Sequence, residues 1–218
     1  MWKLIQKLFG QKSLDIGQVP SLSSLPSESK KNSVPELVVQ KKKEPIAVEG
    51  LVEIAMSQVG VKEVGGNNRG AKIREYQSAT TLKPAPWPWC AAFCCWILDQ
   101  WLKDPRNVAW LNLKQMTPSQ WKPRTAAAFG FIEWAKKRPN TTKILSEKAK
   151  PQVGDLVVFD FSHIGIVVKV GEKNFQCVEG NTNQKGTRDS DSGDGVWLKT
   201  RTASLVRCYI RISPSKAQ

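Results

Sequence analysis

The sequence predicts an α+β protein in which N-terminal helices pack on a five- to six-stranded antiparallel sheet. Apolar residues recur at helical spacing in the part of the chain that follows residue 45, and the period changes to two after residue 153. Gly, Asn and Asp turns divide the second part into short apolar runs. Because the helices come first and the strands follow, we expect the helices to cover one face of the sheet.

Four helices are predicted in chain order. The spacing of apolar residues predicts an amphipathic helix over 47–58 and a shorter helix over 71–79. From Cys90 to Trp101 an apolar face repeats every three or four residues, which indicates a central and largely buried helix. Thr125 is a candidate N-cap for a fourth helix that runs to Arg138.

Five strands are predicted after residue 153, each rich in β-branched or aromatic residues. Alternating or continuous apolar runs of four to eight residues between turn residues are typical of strands in an antiparallel sheet. The predicted strands are Leu156–Phe159, Ile164–Val170, Phe175–Val178, Val196–Lys199 and Leu205–Ile212.

The composition predicts a tail, one folded domain and a short C-terminal extension. Residues 1–45 are rich in Ser, Pro and Lys, with eight lysines and four acidic residues, and are interpreted as a basic, flexible tail. The first nine residues could form a short membrane-surface or partner-docking helix, or simply a frayed terminus. Residues 46–213 are expected to be the catalytic domain and 214–218 a C-terminal tail.

Charge, hydropathy and cysteine content limit the class of protein. A net charge of +14 predicts contact with a polyanion such as an anionic membrane or wall polymer. The sequence contains no run of about 18 apolar residues, so a membrane-spanning helix is not expected. The N-terminal segment lacks the unbroken apolar stretch of a secretory signal, so synthesis in a bacterial cytoplasm is expected. Five cysteines with one histidine and no C-x-x-C pair argue against a disulfide framework or a zinc site.

Cys90 and His163 are the candidate nucleophile and base. Cys90 follows Trp89 at the predicted start of a helix, where backbone N–H groups and the helix dipole favour a thiolate and a developing oxyanion. His163 precedes an apolar strand and is the only histidine of the chain. A lone histidine is more often a surface or satisfied core residue, so the pair needs further support.

Two polar residues of the next strand are candidates to orient His163. Glu179 lies sixteen residues further on, where a hairpin would bring its carboxylate alongside the imidazole. Asn181 is a second candidate for the same role. Taken singly, each would be interpreted as a surface or turn residue. Their order and their position on the predicted elements favour the functional interpretation.

Four segments in this order carry a family resemblance. They are Trp87–Phe93, Pro151–Phe159, Ser162–Val167 and Glu179–Thr182. Together they resemble the CHAP family (cysteine, histidine-dependent amidohydrolase/peptidase), a papain-like group common in phage endolysins and bacterial autolysins. The resemblance extends over about residues 50 to 212, and Gly65–Gly70 is similar to a stretch that precedes the cysteine in some phage and prophage members.

The resemblance implies a papain-like fold and a peptidoglycan hydrolase. It assigns Cys90 as nucleophile, His163 as base, Glu179 as orienting residue and Asn181 as a supporting polar group. It implies peptidoglycan as substrate, cut either between the sugar and the stem peptide or within the peptide. Some members bind calcium through acids just before the cysteine, but 79–84 holds no carboxylate. No metal or cofactor is therefore expected.

Three further residues are candidates for substrate contact. Trp89 could wall the cleft, although most of the nine tryptophans are expected in the core. Asn68 is a candidate second donor to the oxyanion. Arg69 could bind a stem-peptide carboxylate, or could be a solvated loop charge.

The tail and the net charge leave alternative functions open. An endolysin-like enzyme that reaches the wall after release from the cytoplasm is expected to be a monomer. Alternatives are a virion-associated or secreted toxin hydrolase of the same fold, or a non-enzymatic nucleic-acid-binding protein. The lysines are scattered and no nucleic-acid-binding motif is present, so a specific nucleic-acid partner is not expected.

Overall fold

The computed structural model describes residues 46–185 and 193–215. The predicted tail, residues 1–45, lies outside the described residues. Six α-helices, one 3₁₀ helix and six strands are present in the described part. The helices are α1 Ile46–Ser57, α2 Ala71–Gln77, α3 Cys90–Trp101, α4 Pro105–Leu111, α5 Pro118–Trp121 and α6 Gly130–Lys136. The strands are β1 Thr142–Ser146, β2 Leu156–Phe159, β3 Ile164–Val170, β4 Phe175–Thr182, β5 Gly195–Arg201 and β6 Val206–Ile212.

The strands form one antiparallel sheet in the order β1-β6-β2-β3-β4-β5. In the centre Ile166 of β3 pairs with Val178 of β4, and Val178 pairs in turn with Leu198 of β5. This register carries the start of β3 toward the far end of β4. The predicted α+β class, with helices followed by an antiparallel sheet, is confirmed.

Helix α3 is the centre of the core. It packs on α1 and α2 and on strands β3 and β4, and ten of its twelve residues are buried. Neighbouring tryptophans extend this core, with Trp101 and Trp121 6.2 Å apart and Trp121 and Trp134 5.1 Å apart between ring centroids. A smaller apolar cluster that includes Val157, Phe159, Val167, Phe175 and Tyr209 forms separately.

Several element boundaries differ from the predictions. The fourth predicted helix begins at Gly130 rather than at Thr125, because the Thr125 hydroxyl accepts from the N–H of Ala127 in a local turn. Strand β4 continues through Glu179 to Thr182, so Glu179 lies within the strand and not at its end. The last strand begins at Val206, after the 3₁₀ helix Ala203–Leu205.

Three elements were not predicted. Helix α4 begins at a proline and is capped by the Asp104 side chain, and α5 also begins at a proline and has a capping box of Thr117 and Gln120. These are recognised helix-start signals, but the helices that follow them are short. Strand β1 is a five-residue strand that pairs only with β6. No helix among residues 46–185 and 193–215 could span a bilayer.

Candidate active site

Cys90 is the first residue of α3. The residue before it, Trp89, has non-helical dihedral angles and gives the helix no side-chain cap. The N–H groups of the first turn of a helix lack partners within the helix, and the dipole there favours negative charge. Cys90 is 5% exposed, so its thiol lies just below the surface at an end that suits an anion.

His163 and Glu179 form a buried pair. His163 Nε2 lies 3.0 Å from Glu179 Oε2, and neither side chain is more than 1% exposed. Burial raises the pKa of Glu179, but hydrogen bonds from Arg201 and His163 and their charges outweigh burial, so the pKa falls from 4.5 to about 2. An ionised carboxylate only accepts, and therefore His163 Nε2 must carry the donated proton.

The second ring nitrogen of His163 is the one left for Cys90. Within residues 46–185 and 193–215, His163 Nδ1 is buried and has no hydrogen-bond partner of standard geometry. Burial lowers the pKa of His163, but the Cys90 sulfur and the Glu179 carboxylate favour the protonated ring, and the pKa rises to about 9. The thiol, the imidazole and the carboxylate therefore interact in that order.

Two aromatic rings fix the plane of the imidazole. The ring of His163 stacks on Phe161, with centroids 5.7 Å apart and planes 10° apart, and on Phe159 at 5.9 Å. Ser162, which lies between Phe161 and His163 in the chain, has a positive φ of 60°. The turn from β2 to β3 thus places the imidazole against the two rings and limits its rotation.

Arg201 and Cys177 complete the contacts of the carboxylate, and the sequence analysis did not identify either. Arg201 donates from Nε to Glu179 Oε1 at 2.8 Å and from Nη2 to Oε2 at 2.7 Å. The Cys177 thiol lies 2.9 Å from Oε1. Arg201 lies just beyond the predicted strand Val196–Lys199, and the alternation of side chains along a strand does not tell a buried arginine from a surface one.

Asn181 lies among the polar groups that support the residue before Cys90. Its Oδ1 accepts the backbone N–H of Trp89 at 2.9 Å, and its Nδ2 donates to Asn68 Oδ1 at 3.0 Å. Neither of these hydrogen bonds involves His163, whose Nε2 is bound by Glu179. Asn181 ties β4 to the residue before Cys90, and its φ of 54° is the left-handed conformation that asparagine tolerates.

Trp89 does not wall the cleft, which corrects the predicted substrate contact. Its side chain is 0% exposed, stacks on Tyr76 at 5.5 Å and donates from Nε1 to Glu63 Oε1 at 2.8 Å. Burial of the indole ring in the core, with a hydrogen-bond acceptor for its N–H, stabilises the fold more than exposure in a cleft would. Glu63, also missed, accepts the N–H of Asn68 at 2.7 Å through its other oxygen.

The loop before the cysteine presents the other two predicted substrate residues. Asn68 is 8% exposed and has a positive φ of 57°, held by its bonds to Glu63 and Asn181. Arg69 beside it is exposed. The structure therefore brings Asn68 into the network that supports Cys90 and leaves the Arg69 guanidinium in solvent.

Two glycines allow the strands and the helix to meet at the site. A Cβ on Gly165 would lie 2.7 Å from Glu179 Cγ, and a Cβ on Gly180 would lie 2.7 Å from Phe93 Cβ in α3. Such distances are below van der Waals contact, so any larger residue would push the elements apart. Both glycines belong to segments that the sequence analysis singled out.

Other parts of the described structure offer no alternative chemistry. No group of three or more His, Cys, Asp or Glu side chains in the described ranges could hold a metal ion. Asp194 accepts from Trp197 Nε1 at 2.6 Å, and residues 186–192 lie outside the described residues. A cavity of about 750 Å³ is lined by other residues, among them Leu51, Trp101 and Arg211.

Comparisons with known proteins found one family match and a similarity to a solved structure. The sequence model of the CHAP domain family matches residues 82–181. Among solved structures, the chain is similar to the crystal structure of a wild-type endolysin, LysIME-EF1, with a TM-score of 0.45 and 14% sequence identity. That alignment covers 78% of this chain and 65% of the endolysin chain. No curated protein matches the chain significantly. The match to the CHAP domain family thus covers the segment of the chain that holds Cys90, His163, Glu179 and Asn181.

Proposed function

We propose that the protein hydrolyses an amide bond in the peptide of bacterial peptidoglycan, with Cys90 as the nucleophile. The observation that carries the proposal is the buried series of the Cys90 thiol, the His163 imidazole and the Glu179 carboxylate at the N-terminus of α3. A nucleophile, a base and a group that orients the base are the parts that acyl transfer requires. The CHAP match supports this class of reaction.

The reaction follows from the roles of these groups. His163 Nδ1 takes the thiol proton of Cys90, and the thiolate attacks the carbonyl carbon of the scissile amide. Glu179 stabilises the imidazolium through Nε2 without taking its proton. His163 then protonates the leaving amine, the C–N bond breaks and an acyl-enzyme forms. Water, deprotonated by His163, attacks the thioester and releases the carboxylic acid and the free thiol.

The oxyanion of the tetrahedral intermediate needs two donors. The backbone N–H of Cys90 lies at the start of α3, where it has no acceptor within the helix. The N–H of Trp89 is already donated to Asn181. Asn68 uses its Oδ1 to accept from Asn181, and its Nδ2 donates no hydrogen bond among the described residues. We assign Cys90 N–H and Asn68 Nδ2 as the two donors.

Substrate contact and location follow from charge. Arg69 is exposed beside Asn68, where it can pair with a carboxylate of the stem peptide. The net charge of +14 favours accumulation on anionic wall polymers or membranes. An endolysin-like protein of this kind acts on the wall after leaving the cytoplasm. Capture of residues 1–45 by a virion or secretion component would instead assign it to the virion-associated or toxin class.

The test is digestion of purified peptidoglycan by the wild type, Cys90→Ala and His163→Ala, with mass spectrometry of the products. Cys208→Ala is the matched control, since Cys208 is also a largely buried thiol, on β6 away from the site. We expect fragments from the wild type and Cys208→Ala alone. Their masses distinguish an amidase, which separates sugar from peptide, from an endopeptidase. Undiminished digestion by Cys90→Ala would refute the mechanism.

A further inference from the structure

Arg201 binds both carboxylate oxygens of Glu179. Its two donors, Nε and Nη2, reach the two carboxylate oxygens separately, at 2.8 and 2.7 Å. A guanidinium bound in this way fixes both the position and the plane of a carboxylate, because the two bonds are parallel and rigid. The carboxylate of Glu179 therefore cannot rotate without breaking a hydrogen bond.

The guanidinium itself is held in place by the rings that hold the imidazole. Arg201 lies over Phe159 at 5.3 Å and over Phe161 at 5.8 Å, and its side chain is 3% exposed. His163 stacks on the same two rings. The Arg201 guanidinium, from strand β5, and the His163 imidazole, from the β2–β3 turn, thus pack on the same two rings and bind the same carboxylate.

The geometry points to Arg201 as a positioning residue that locks Glu179 so that His163 carries its proton on Nε2 and presents Nδ1 to Cys90. This inference rests on the proposed cysteine mechanism. The first support is the Glu179 carboxylate. Its Oε1 accepts from Arg201 Nε, and its Oε2 accepts from Arg201 Nη2 and from His163 Nε2. The second support is the ring of His163, which has only Nδ1 left for the thiol. An imidazole with its proton on Nδ1 could not act as the base for Cys90.

Other ionisable groups face this centre from two elements besides the β2–β3 turn and β5. Burial raises the pKa of both Cys94 and Cys177 well above the ordinary value, so both thiols stay neutral in the working range of pH. The groups that face the His163–Glu179 pair are Cys90 and Cys94 on α3, Cys177 on β4, and Lys199 and Arg201 on β5. Of the two β5 cations, Arg201 is the one that donates hydrogen bonds to the Glu179 carboxylate.

The experiment compares Arg201→Met and Arg201→Lys with Arg211→Met. Arg211 is a matched control because it binds Asp155 in the same two-bond manner, at 2.9 and 2.8 Å, on the same sheet and away from the site. The first readout is proton–nitrogen NMR of the single histidine, followed through its titration, which reports which ring nitrogen carries the proton. The second is the kinetics of peptidoglycan digestion.

We expect Arg201→Met to give a mixture of His163 tautomers and a kcat lower by about 100-fold, since small misplacement of a catalytic group costs on that order. KM should stay within about twofold, because a side chain buried behind Glu179 removes no substrate contact. Arg201→Lys keeps the charge but not the fork, and a loss of about tenfold in kcat is expected. Arg211→Met should leave the tautomer and kcat unchanged.

Two results would overturn the inference. One is a single Nε2–H tautomer in Arg201→Met together with near-normal kcat. The other is an equal loss of kcat in Arg201→Met and Arg211→Met, which would indicate general destabilisation. If Arg201→Met does not fold, Arg201→Lys decides by the same criteria. Absence of products from the wild type would refute the proposed function, whereas the NMR readout would still decide the role of Arg201.

Discussion

Replacing Glu179 by Gln should cost a large part of the stability of the domain. The carboxylate is 0% exposed and receives two bonds from Arg201, one from His163 and one from Cys177. Either orientation of the Gln amide sets its NH₂ group against an Arg201 donor, because that residue donates to both oxygens. The guanidinium would then face an amide donor where it now binds a carboxylate.

The loss of stability in Glu179→Gln can be calculated in two ways. Breaking a buried ion pair by removing one partner costs about 3–5 kcal/mol. The pKa of Glu179 is lowered from 4.5 to about 2, which at about 1.4 kcal/mol per pH unit corresponds to about 3 kcal/mol. Since domains are stable by about 5–15 kcal/mol in total, the variant should unfold at a clearly lower urea concentration.

Urea unfolding at pH 7, followed by tryptophan fluorescence, measures this loss. Glu133→Gln is the surface control, because Glu133 pairs with Lys136 at 62% side-chain exposure and its removal should cost no more than about 0.5 kcal/mol. The difference between wild type and Glu179→Gln should shrink as the pH falls from 4.5 toward 2. A carboxyl whose folded pKa is depressed stabilises above its unfolded pKa and loses that contribution on protonation. A loss below about 1 kcal/mol at pH 7 would refute the reasoning.

Three further predictions concern the same centre. Gly180→Ala should lower the free energy of unfolding by about 1–3 kcal/mol and reduce digestion, because its Cβ would meet Phe93, whereas Gly50→Ala, whose nearest contact is 3.9 Å away, should stabilise by up to about 1 kcal/mol. Cys90→Ala should lower the pKa of His163 from about 9 in an NMR titration, and an unchanged pKa would contradict the thiol–imidazole contact. The stability of the wild type in urea should decline as the pH rises from 6.5 through 9, because the raised pKa of His163 stabilises only while the ring is protonated; a flat profile would count against it.

The parts of the site that could be predicted from the sequence are those linked by adjacent elements. His163 directly precedes β3 and Glu179 lies on β4, the next strand, so a hairpin was enough to bring them together. Cys90 could be placed at a helix start because prolines precede it and an apolar helical face follows. Only one histidine could serve as the base for Cys90, because the chain holds a single histidine.

The parts that could not be predicted depend on packing between distant elements. Arg201 pairs with Phe175 in the β4–β5 register and reaches Glu179 diagonally between the strands, and residue type gives no warning of this. Trp89 was misplaced because an aromatic beside a nucleophile suits a cleft wall as well as a core, and only the position of Tyr76 decides between them. The hydrogen bond between Asn181 and Trp89 could not be foreseen for the same reason, since the two residues lie 92 positions apart in the chain.

The distance along the chain between Cys90 and its partners has a consequence for synthesis. A ribosome makes the nucleophile long before the base at 163, the carboxylate at 179 and the guanidinium at 201. Any nascent or prematurely ended chain that stops before β3 contains a thiol at position 90 but no imidazole at all. Under the proposed mechanism, incomplete translation products could not cleave the substrate, and proteolytic removal of β4 and β5 would abolish activity as loss of Cys90 would.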